Sequence, residues 1–430
     1  MEDTLTKRIE GKEDVESIAV SETNTELDQK MDSKMSWLIC GCAFFSVLIS
    51  QGINNSFGIY QVYYTSVVFK TAEPSLISWI GTTTTAFMLF TGILSNELVS
   101  IIGIRNVAWL GGLFTFAGLF SASFVDSVRA LIGTQGVLLG IGSGLVYSCS
   151  ISITAMWFNK HIGIALGIVT SSSGIGGIVI SRIIYAIINN LGYRWALRIT
   201  SFIGIFIISV SSLAYKTPVT VSKTGSIVDF SCLKSPLFIL ICTTGFIGNL
   251  GFVVPVYFLP SAALQIGASD SYASNLVTIF NVGYFVGSII NGRIADILGP
   301  TNMFGVCTFL IGLFTLVFWV LYKTLATLAI TAFFYGFFIA GFISLCIASI
   351  ARYFPNNRII AINGMYLFIN GLSLIAGNFL VSLFLDNLGH GTNFKWVSMF
   401  SSIAQMVASL FIIPAIFYIR HHYKIDSWIL

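Results

Sequence analysis

Amides, phenols and a serine hydroxyl lie inside long apolar segments of this sequence, where they could recognise a ligand. Hydrogen-bonding groups in an apolar cleft suit a neutral or aromatic solute. For each of them the alternative role is a hydrogen bond between neighbouring helices, which polar side chains commonly make inside a membrane. The candidates are Asn54, Asn55, Tyr147, Asn249, Tyr257, Asn281, Tyr284, Ser288 and Asn370.

Arg182 is the remaining charge inside a predicted span. It lies about six residues from the outer end of its span, or roughly 9 Å along a helix. The guanidinium could bind an anionic group of a solute, or its long side chain could reach the outer lipid headgroups. The sequence leaves both roles open.

The residues that usually support enzymatic or metal chemistry are poorly placed for it. The 4 histidines fall in loops or the C-terminal tail, and the 7 cysteines lie mostly in apolar spans without metal-ligand spacing. The sequence has neither a Walker loop nor a G-x-G-x-x-G motif. We therefore expect no enzyme, no metal, no cofactor and no pump driven by ATP.

The elements that position these side chains are predicted to be membrane helices. Hydrophobic residues make up 55% of the 430 residues and charged residues 9%, which is too apolar for a soluble domain with a polar surface. After residue 34, charges are confined to short segments between apolar stretches of about 20 residues, the length of a membrane span. The sequence predicts an all-α integral membrane protein with twelve spans, at 37–60, 75–95, 105–125, 130–150, 163–188, 195–214, 236–260, 272–292, 302–322, 325–348, 359–385 and 397–418.

The charge distribution predicts the orientation in the membrane. Of the 22 Lys and Arg residues, fifteen fall in the loops and tails on the side that carries both termini, and six on the other side. An excess of Lys and Arg marks the cytoplasmic side, so both termini are predicted to be cytoplasmic. No basic run supports a nucleic-acid partner.

A polar stretch divides the spans into two sets of six. We predict a disordered cytoplasmic N-terminal tail over 1–34, because this segment is acidic and has little hydrophobic periodicity. An N-terminal six-helix bundle over 35–215 follows, then a cytoplasmic linker over 216–235, a C-terminal six-helix bundle over 236–418 and a C-terminal cytoplasmic tail over 419–430.

Similar loops follow the second span of each half. At an offset of 196 residues, Ser100 aligns with Asp296 and Gly103 with Gly299. A glycine at a tight turn permits positive φ, and an Asp at a helix end can bond to backbone or to a basic neighbour. We predict that these loops latch pairs of helices during conformational change. Their candidate residues are Gly92, Ser100, Gly103, Arg105, Gly292, Arg293, Asp296 and Gly299.

These loops resemble those of the major facilitator superfamily, and the second is similar to the superfamily's signature loop between helices 8 and 9. Segments such as 55–61, 157–168 and 371–378 narrow the resemblance to the fungal form of the monocarboxylate-porter branch. The resemblance covers residues 35–420. It implies two pseudo-symmetric six-helix bundles around a central cavity, with alternating access for small organic solutes that include monocarboxylates and vitamins such as riboflavin.

The chain departs from the proton-coupled animal members of that family. In those proteins helix 8 carries an Asp and an Arg and helix 1 carries a Lys, whereas the matching positions here are Tyr284, Ser288 and Asn55. After the tail, every Asp and Glu is assigned to a loop or a helix end, and proton-coupled carriers commonly use an acidic residue inside the membrane. We therefore expect a facilitator that is not coupled to protons.

Together these observations predict a carrier that moves a monocarboxylate or a vitamin-like solute across the plasma membrane. We expect it to function as a monomer in the lipid bilayer, with a vacuolar or other internal membrane as the alternative location. An efflux carrier for a secondary metabolite is the alternative within transport. A transporter-like solute sensor is the alternative of another class, although the short tails leave little room for a signalling module.

Overall fold

The computed structural model describes residues 31–72, 74–218, 230–321, 324–387 and 394–423, and the regular elements in these ranges are helices. The predicted N-terminal tail up to residue 30 lies outside the described residues. So do residues 219–229 of the predicted linker and residues 424–430 of the predicted C-terminal tail. The last helix continues to Tyr423, five residues beyond the end of the predicted span.

Twelve helical rods follow one another along the described chain, in agreement with the predicted spans. The first six are α1 (Lys34–Tyr63, with a turn at Ser56), α2 (Pro74–Ile102), α3 (Ile104–Ala122), α4 (Val128–Trp157), α5 (Ile162–Leu191) and α6 (Tyr193–Ser212). The next six are α7 (Pro236–Leu250 and Val253–Gln265), α8 (Asp270–Leu298), α9 (Pro300–Leu321), α10 (Leu325–Tyr353), α11 (Ile359–Asn387) and α12 (Lys395–Leu410 and Ile412–Tyr423).

Ten of these rods are long and apolar enough to cross a membrane, counted over the described residues. The two others are α3, which carries Arg105 and Asn106 in its first turn, and α8, which carries three asparagines and three charges. Polar residues are costly in lipid, so a polar helix within such a bundle is expected to face other helices or a water-filled cleft. The composition of α8 therefore marks it as a helix that lines the interior.

Glycines with positive φ make the tight turns between successive helices. Gly103 (φ 81°) joins α2 to α3, and Gly299 (φ 91°) joins α8 to α9. Side chains disfavour this region of backbone conformation, and glycine enters it at little cost. Three residues after each glycine an asparagine side chain donates to the last helical carbonyl, from Asn106 to Ile102 at 2.7 Å and from Asn302 to Leu298 at 2.9 Å. The two halves thus repeat the same turn.

Each half has its own internal packing. In the first half α1 packs along α5, and α3 packs against α4 and α6. In the second half α8 packs along α10, α9 against α10 and α12, and α7 against α11 and α12. Small residues permit these close approaches, as at Gly287, where an added Cβ would lie 2.1 Å from the carbonyl oxygen of Phe337.

The halves join at one end of the bundle. Both described chain ends lie there, and we name it the terminal end; the opposite end is the far end. The largest buried apolar cluster combines residues of both halves, such as Met156 and Leu166 with Leu345 and Ile362. Two smaller clusters towards the far end stay within one half each, the first confined to α1–α6 and the second to α7–α12. The apolar core is therefore continuous at the terminal end and divided at the far end.

Candidate functional site

A close contact between the halves lies where α5 begins and α8 ends. A Cβ added to Gly163 would lie 2.4 Å from the carbonyl oxygen of Gly292, and one added to Gly167 would lie 2.2 Å from that of Ser288. Real Cβ atoms essentially never approach so closely, so these positions need glycine. We name this contact, together with the α2–α11 contact described next, the gate.

The gate has a second contact, between α2 and α11, that mirrors the first. A Cβ added to Gly364 of α11 would lie 2.3 Å from the carbonyl oxygen of Gly92 of α2. The ring centroids of Phe90 and Phe368 are 5.4 Å apart and pack beside this crossing. Gly92 and Gly292 therefore occupy equivalent places in the two halves, at an offset of 200 residues.

The Asp296 carboxylate reinforces the gate by reaching from α8 to the first turn of α5. Its Oδ1 accepts the N–H of Gly163 at 2.7 Å, and its Oδ2 accepts the N–H of Ile164 at 3.0 Å. The first amides of a helix lack partners within the helix and carry a partial positive charge, so they suit a carboxylate. Hydrogen bonds to charged groups contribute about 1.5–3 kcal/mol each, so this pair stabilises the closed gate.

Asp296 lies beyond the apolar part of α8 and is half buried. Burial raises the pKa of its carboxyl above the ordinary value of 3.8. The two amide donors oppose that shift, as do the nearby His161 and Arg293 side chains. The carboxylate is therefore held by backbone donors, and its basic neighbours add smaller contributions.

The other predicted latch residues stay within their own half. Ser100 Oγ donates to the carbonyl of Glu97 at 2.8 Å, inside α2. Arg105 lies over the ring of Trp109, 5.2 Å from its centroid, and Arg293 is exposed. Gly103 and Gly299 form the turns already described.

The structure also shows which residue of the first half occupies the position equivalent to Asp296. The segment from Gly92 to the turn glycine Gly103 is four residues, about one helical turn, longer than its counterpart in the second half. The buried Asn96, at the gate offset of 200 residues, therefore occupies the place equivalent to Asp296. The offset of 196 that pairs Ser100 with Asp296 applies only to the turns.

Beyond the gate, two predicted residues from opposite halves meet around Gly177 of α5. A Cβ added to Gly177 would lie 3.3 Å from Asn281 Oδ1 and 3.6 Å from Asn55 Nδ2. Asn55 donates to the Ser173 carbonyl at 3.3 Å and to its hydroxyl at 3.2 Å, and it is exposed although it lies within a membrane helix. Asn281 Nδ2 donates to the Val277 carbonyl at 2.9 Å. The two amides thus flank a space between the halves.

This space opens towards the far end. Val277, one turn beyond Asn281 on the same face of α8, is 45% exposed. Among the described residues α1 and α7, the first helices of the two halves, make at most sparse contacts with each other. We name the space between the halves beyond the gate the cleft. From the exposure of Asn55 and Val277 we infer that the cleft is open towards the far end, and the gate closes it at the terminal end.

Tyr147 of α4 and Tyr284 of α8 lie between the cleft and the gate. Both are largely buried, at 6% and 9% exposure, and both belong to the apolar cluster that joins the halves, as does Cys346 of α10. Phenols from both halves therefore lie in the core on the terminal side of the cleft.

Three predicted residues make helix contacts instead of facing the cleft. Ser288 is fully buried and its hydroxyl donates to the Tyr284 carbonyl at 2.8 Å. Asn249 of α7 donates to Asn370 Oδ1 of α11 at 2.6 Å, and Asn370 donates to the Tyr366 carbonyl at 3.0 Å. The Asn249–Asn370 bond corresponds to the interhelical alternative for such side chains, whereas the Ser288 hydroxyl bonds within its own helix.

The remaining predicted residues have separate surroundings. Asn54 Nδ2 lies 3.3 Å from Met88 Sδ of α2, and its buried Oδ1 has no partner among the described residues. Arg182 is exposed and makes no hydrogen bond or ion pair within the described part of the chain. Tyr257 belongs to the second segment of α7, and its side chain lies outside the described set.

Two further buried asparagines, which are not among the predicted site residues, join helices near the gate. Asn291 of α8 donates to the Phe337 carbonyl of α10 at 2.7 Å. Asn363 of α11 donates to Ser152 Oγ of α4 at 3.4 Å and so links the halves. Each leaves its Oδ1 without a described partner. An asparagine inside an apolar span was the available signal, and it is the same signal that pointed to Asn281.

Comparison with known proteins gives a consistent result. A sequence model of the Major Facilitator Superfamily matches residues 38–261 and 237–426. The chain is 26% identical over 383 residues to the MFS transporter asaE of Aspergillus flavus, a match that covers 88% of this chain and 86% of that protein. It is 28% identical over 321 residues to the aspyridones efflux protein apdF of Emericella nidulans, with 74% of this chain and 65% of that protein covered.

A solved structure shares the fold. The chain superposes with a TM-score of 0.70 on the proton:xylose symporter XylE bound to 6-bromo-6-deoxy-D-glucose, at 14% sequence identity. The match covers 89% of this chain and 96% of that chain. At this identity the likeness concerns the arrangement of the helices alone.

Proposed function

Because the chain belongs to the major facilitator superfamily and is a multi-pass membrane transporter of that type, we propose that it exports a small uncharged organic solute, a secondary metabolite, by alternating access. The observation that carries this proposal is the pair Asn55 and Asn281, which face each other from opposite halves across Gly177 in a cleft open at one end. A solute bound between them would contact both halves at once.

The chemistry of the cleft favours a solute without charge. The polar groups that we assign to it are the amides of Asn55 and Asn281, the Ser173 hydroxyl and the phenols of Tyr147 and Tyr284. These groups donate and accept hydrogen bonds but do not neutralise a carboxylate. Burial of an unpaired charge costs far more than burial of a hydrogen-bonded neutral group. Apolar and aromatic walls with a few polar groups are typical of sites for aromatic or polycyclic solutes.

The direction of transport rests on the relatives. One of them is named as an efflux protein for aspyridones, and this favours export of a metabolite over the uptake of a monocarboxylate or vitamin. Uptake through the monocarboxylate-porter branch is the second candidate. Arg182 is the residue that would favour it, since its exposed guanidinium could attract an anion.

Alternating access follows from the division of the core. The two far-end apolar clusters each belong to one half, so each half can move as a unit. Opening the terminal end requires the separation of Gly163 from Gly292 and the loss of the two Asp296 hydrogen bonds. Closing the far end requires the halves to approach around the cleft. With both termini in the cytoplasm, as the distribution of Lys and Arg predicts, the present conformation is open to the outside.

The proposal places the protein in the plasma membrane as a functional monomer, without coupling to protons. The cleft contains no described acidic residue that could carry a proton across the middle of the membrane. Asp296 lies in the gate, away from the solute.

Export can be tested in yeast cells that express the full-length chain and are loaded with fluorescent neutral aromatic compounds. We expect faster loss of at least one compound from cells with the wild-type protein than from cells with the Gly163→Leu variant, whose gate cannot close. Faster accumulation of carboxylates or vitamins in wild-type cells would favour uptake. Saturable binding of a solute without any flux would favour the sensor.

A further inference from the structure

The segment just before α1 is fixed to the turn between α4 and α5 by a single side chain. Asp32 Oδ2 accepts the N–H groups of Asn159 at 3.2 Å and Lys160 at 2.9 Å, and its Oδ1 accepts that of His161 at 3.2 Å. The Asp32 N–H in turn donates to the Trp157 carbonyl at 3.1 Å. Four hydrogen bonds therefore join one residue of the N-terminal segment to one turn.

The backbone of Asp32 shows that these bonds dictate its conformation. Its φ is 54°, in the left-handed region that residues other than glycine rarely adopt. Such a conformation persists when the surrounding contacts over-determine it. The adjacent Ser33 caps the start of α1 and accepts the N–H of Ser36, so Asp32 is held on both sides.

The turn held by Asp32 leads directly into the gate. Asp32 binds the amides of residues 159–161, and Asp296 binds those of Gly163 and Ile164. Backbone amides at the start of α5 are therefore bound by two carboxylates, Asp32 from the first half and Asp296 from the second. The direction of the Gly163 and Ile164 N–H groups depends on how the chain enters α5, and Asp32 fixes that entry.

We propose that Asp32 is a positioning residue for the gate: it holds the 158–161 turn so that the first amides of α5 face Asp296, and thereby stabilises the conformation closed at the terminal end. The inference rests on the proposed alternating-access function, in which Asp296 must bind and release α5 in each cycle. Asp32 stays bound to its own half throughout the cycle. The amides of Gly163 and Ile164 therefore keep their direction, and Asp296 binds the same two amides each time the gate closes.

The test measures which end of the protein is open, independently of transport. Single cysteines replace Val277, which is exposed in the cleft, and Ser288, which is buried in the gate. Each cysteine is introduced separately into a full-length chain that also carries Cys42→Ser. A membrane-impermeant maleimide is then applied from each side of membrane vesicles. Asp32→Ala should slow far-side labelling at residue 277 at least threefold and accelerate terminal-side labelling at residue 288 at least threefold. Asp32→Asn, with one accepting oxygen, should give a smaller shift.

Two comparisons separate positioning from a general loss of structure. Asp126→Ala removes an exposed acid that pairs with Arg194 at the far end, and it should leave both labelling rates unchanged. In the Asp32→Ala/Asp296→Ala double variant the shift should not exceed that of Asp296→Ala alone, because Asp32 acts through Asp296. Unchanged labelling in both Asp32 variants would overturn the proposal, as would strictly additive shifts. Labelling of residue 277 from both sides at equal rates in the wild-type chain would contradict alternating access itself.

Discussion

Asn55 of α1 and Asn281 of α8 come from opposite halves of the protein and flank the same residue, Gly177 of α5. The gap between them exists because Gly177 has no side chain, since an added Cβ would lie 3.3 Å from Asn281 Oδ1 and 3.5 Å from Asn55 Cβ. If a solute is hydrogen-bonded to both amides, movement of one half relative to the other changes the distance between its two partners. The relationship therefore connects solute recognition with alternating access.

The first prediction concerns these amides. Asn281→Ala and Asn55→Ala should each raise the KM for the exported solute about two- to tenfold, which corresponds to the loss of one hydrogen bond of roughly 0.5–1.5 kcal/mol. The maximal rate should change less. Asn302→Ala, which removes an amide bonded within its own turn at the terminal end, is the matched control. A KM that stays at the wild-type value in both cleft variants would show that the solute binds elsewhere.

The second prediction concerns the space at Gly177. Gly177→Leu should fill the gap between the two amides and abolish solute flux while the protein still folds and reaches the membrane. Gly204→Ala is the control, because a Cβ there would meet Ile53 at 3.5 Å, an ordinary contact distance. Transport of the same solute at the wild-type rate by Gly177→Leu would exclude this route.

The third prediction concerns the glycine contacts in the gate. Gly163→Ala and Gly364→Ala should prevent the close approach of the halves and shift the protein towards the conformation open at the terminal end. Labelling of a cysteine at position 288 from the terminal side reports that shift. Gly41→Ala offers a comparison in which an added Cβ meets nothing within 4 Å. Equal labelling in all three variants would mean that the gate tolerates a wider separation.

The fourth prediction concerns the bond between α7 and α11. Asn249→Leu should leave the Asn370 oxygen without its donor and lower the unfolding temperature in detergent, at a cost of about 0.6–1.7 kcal/mol typical of hydrogen bonds between membrane helices. The Asn249→Leu/Asn370→Leu double variant should recover part of the loss, because it leaves no unpaired amide at that contact. A double variant whose stability falls by the sum of the single losses would show that the two amides act independently.

The sequence predicted the helical architecture well because each span is encoded locally. An apolar stretch of sufficient length forms a membrane helix in any context, and glycines such as Gly103 and Gly299 end helices through their own backbone preference. Asn55 and Asn281 were candidates because each is an amide within an apolar span, and the family resemblance pointed in addition to Asn55. Nothing in the sequence indicated that these two side chains flank one glycine of α5. In contrast, nothing in the spacing of Asn249 and Asn370 showed that these two amides bond to each other, or that the Ser288 hydroxyl bonds to the backbone of its own helix.

The gate was predictable only in part because it depends on contacts between distant segments. The second loop was expected to latch helices, and Asp296 does bridge α8 and α5. The equivalence of Asp296 with Asn96 depends on where α2 and α11 cross. That crossing joins segments far apart in the sequence and cannot be predicted from the local pattern of residues. Asp32 belongs to a segment whose composition predicts disorder, so its contact with α5 could be found only in three dimensions.

The most direct test of the proposed function is solute counterflow in proteoliposomes that contain the full-length protein. Aromatic metabolites would be supplied in matched pairs, each as the free carboxylate and as its uncharged methyl ester, with Gly177→Leu as the inactive control. Because the amides, hydroxyl and phenols assigned to the cleft carry no charge, the proposal predicts saturable counterflow of at least one ester and at least a tenfold lower rate for its carboxylate. Counterflow that is faster for the carboxylates than for their esters would contradict it.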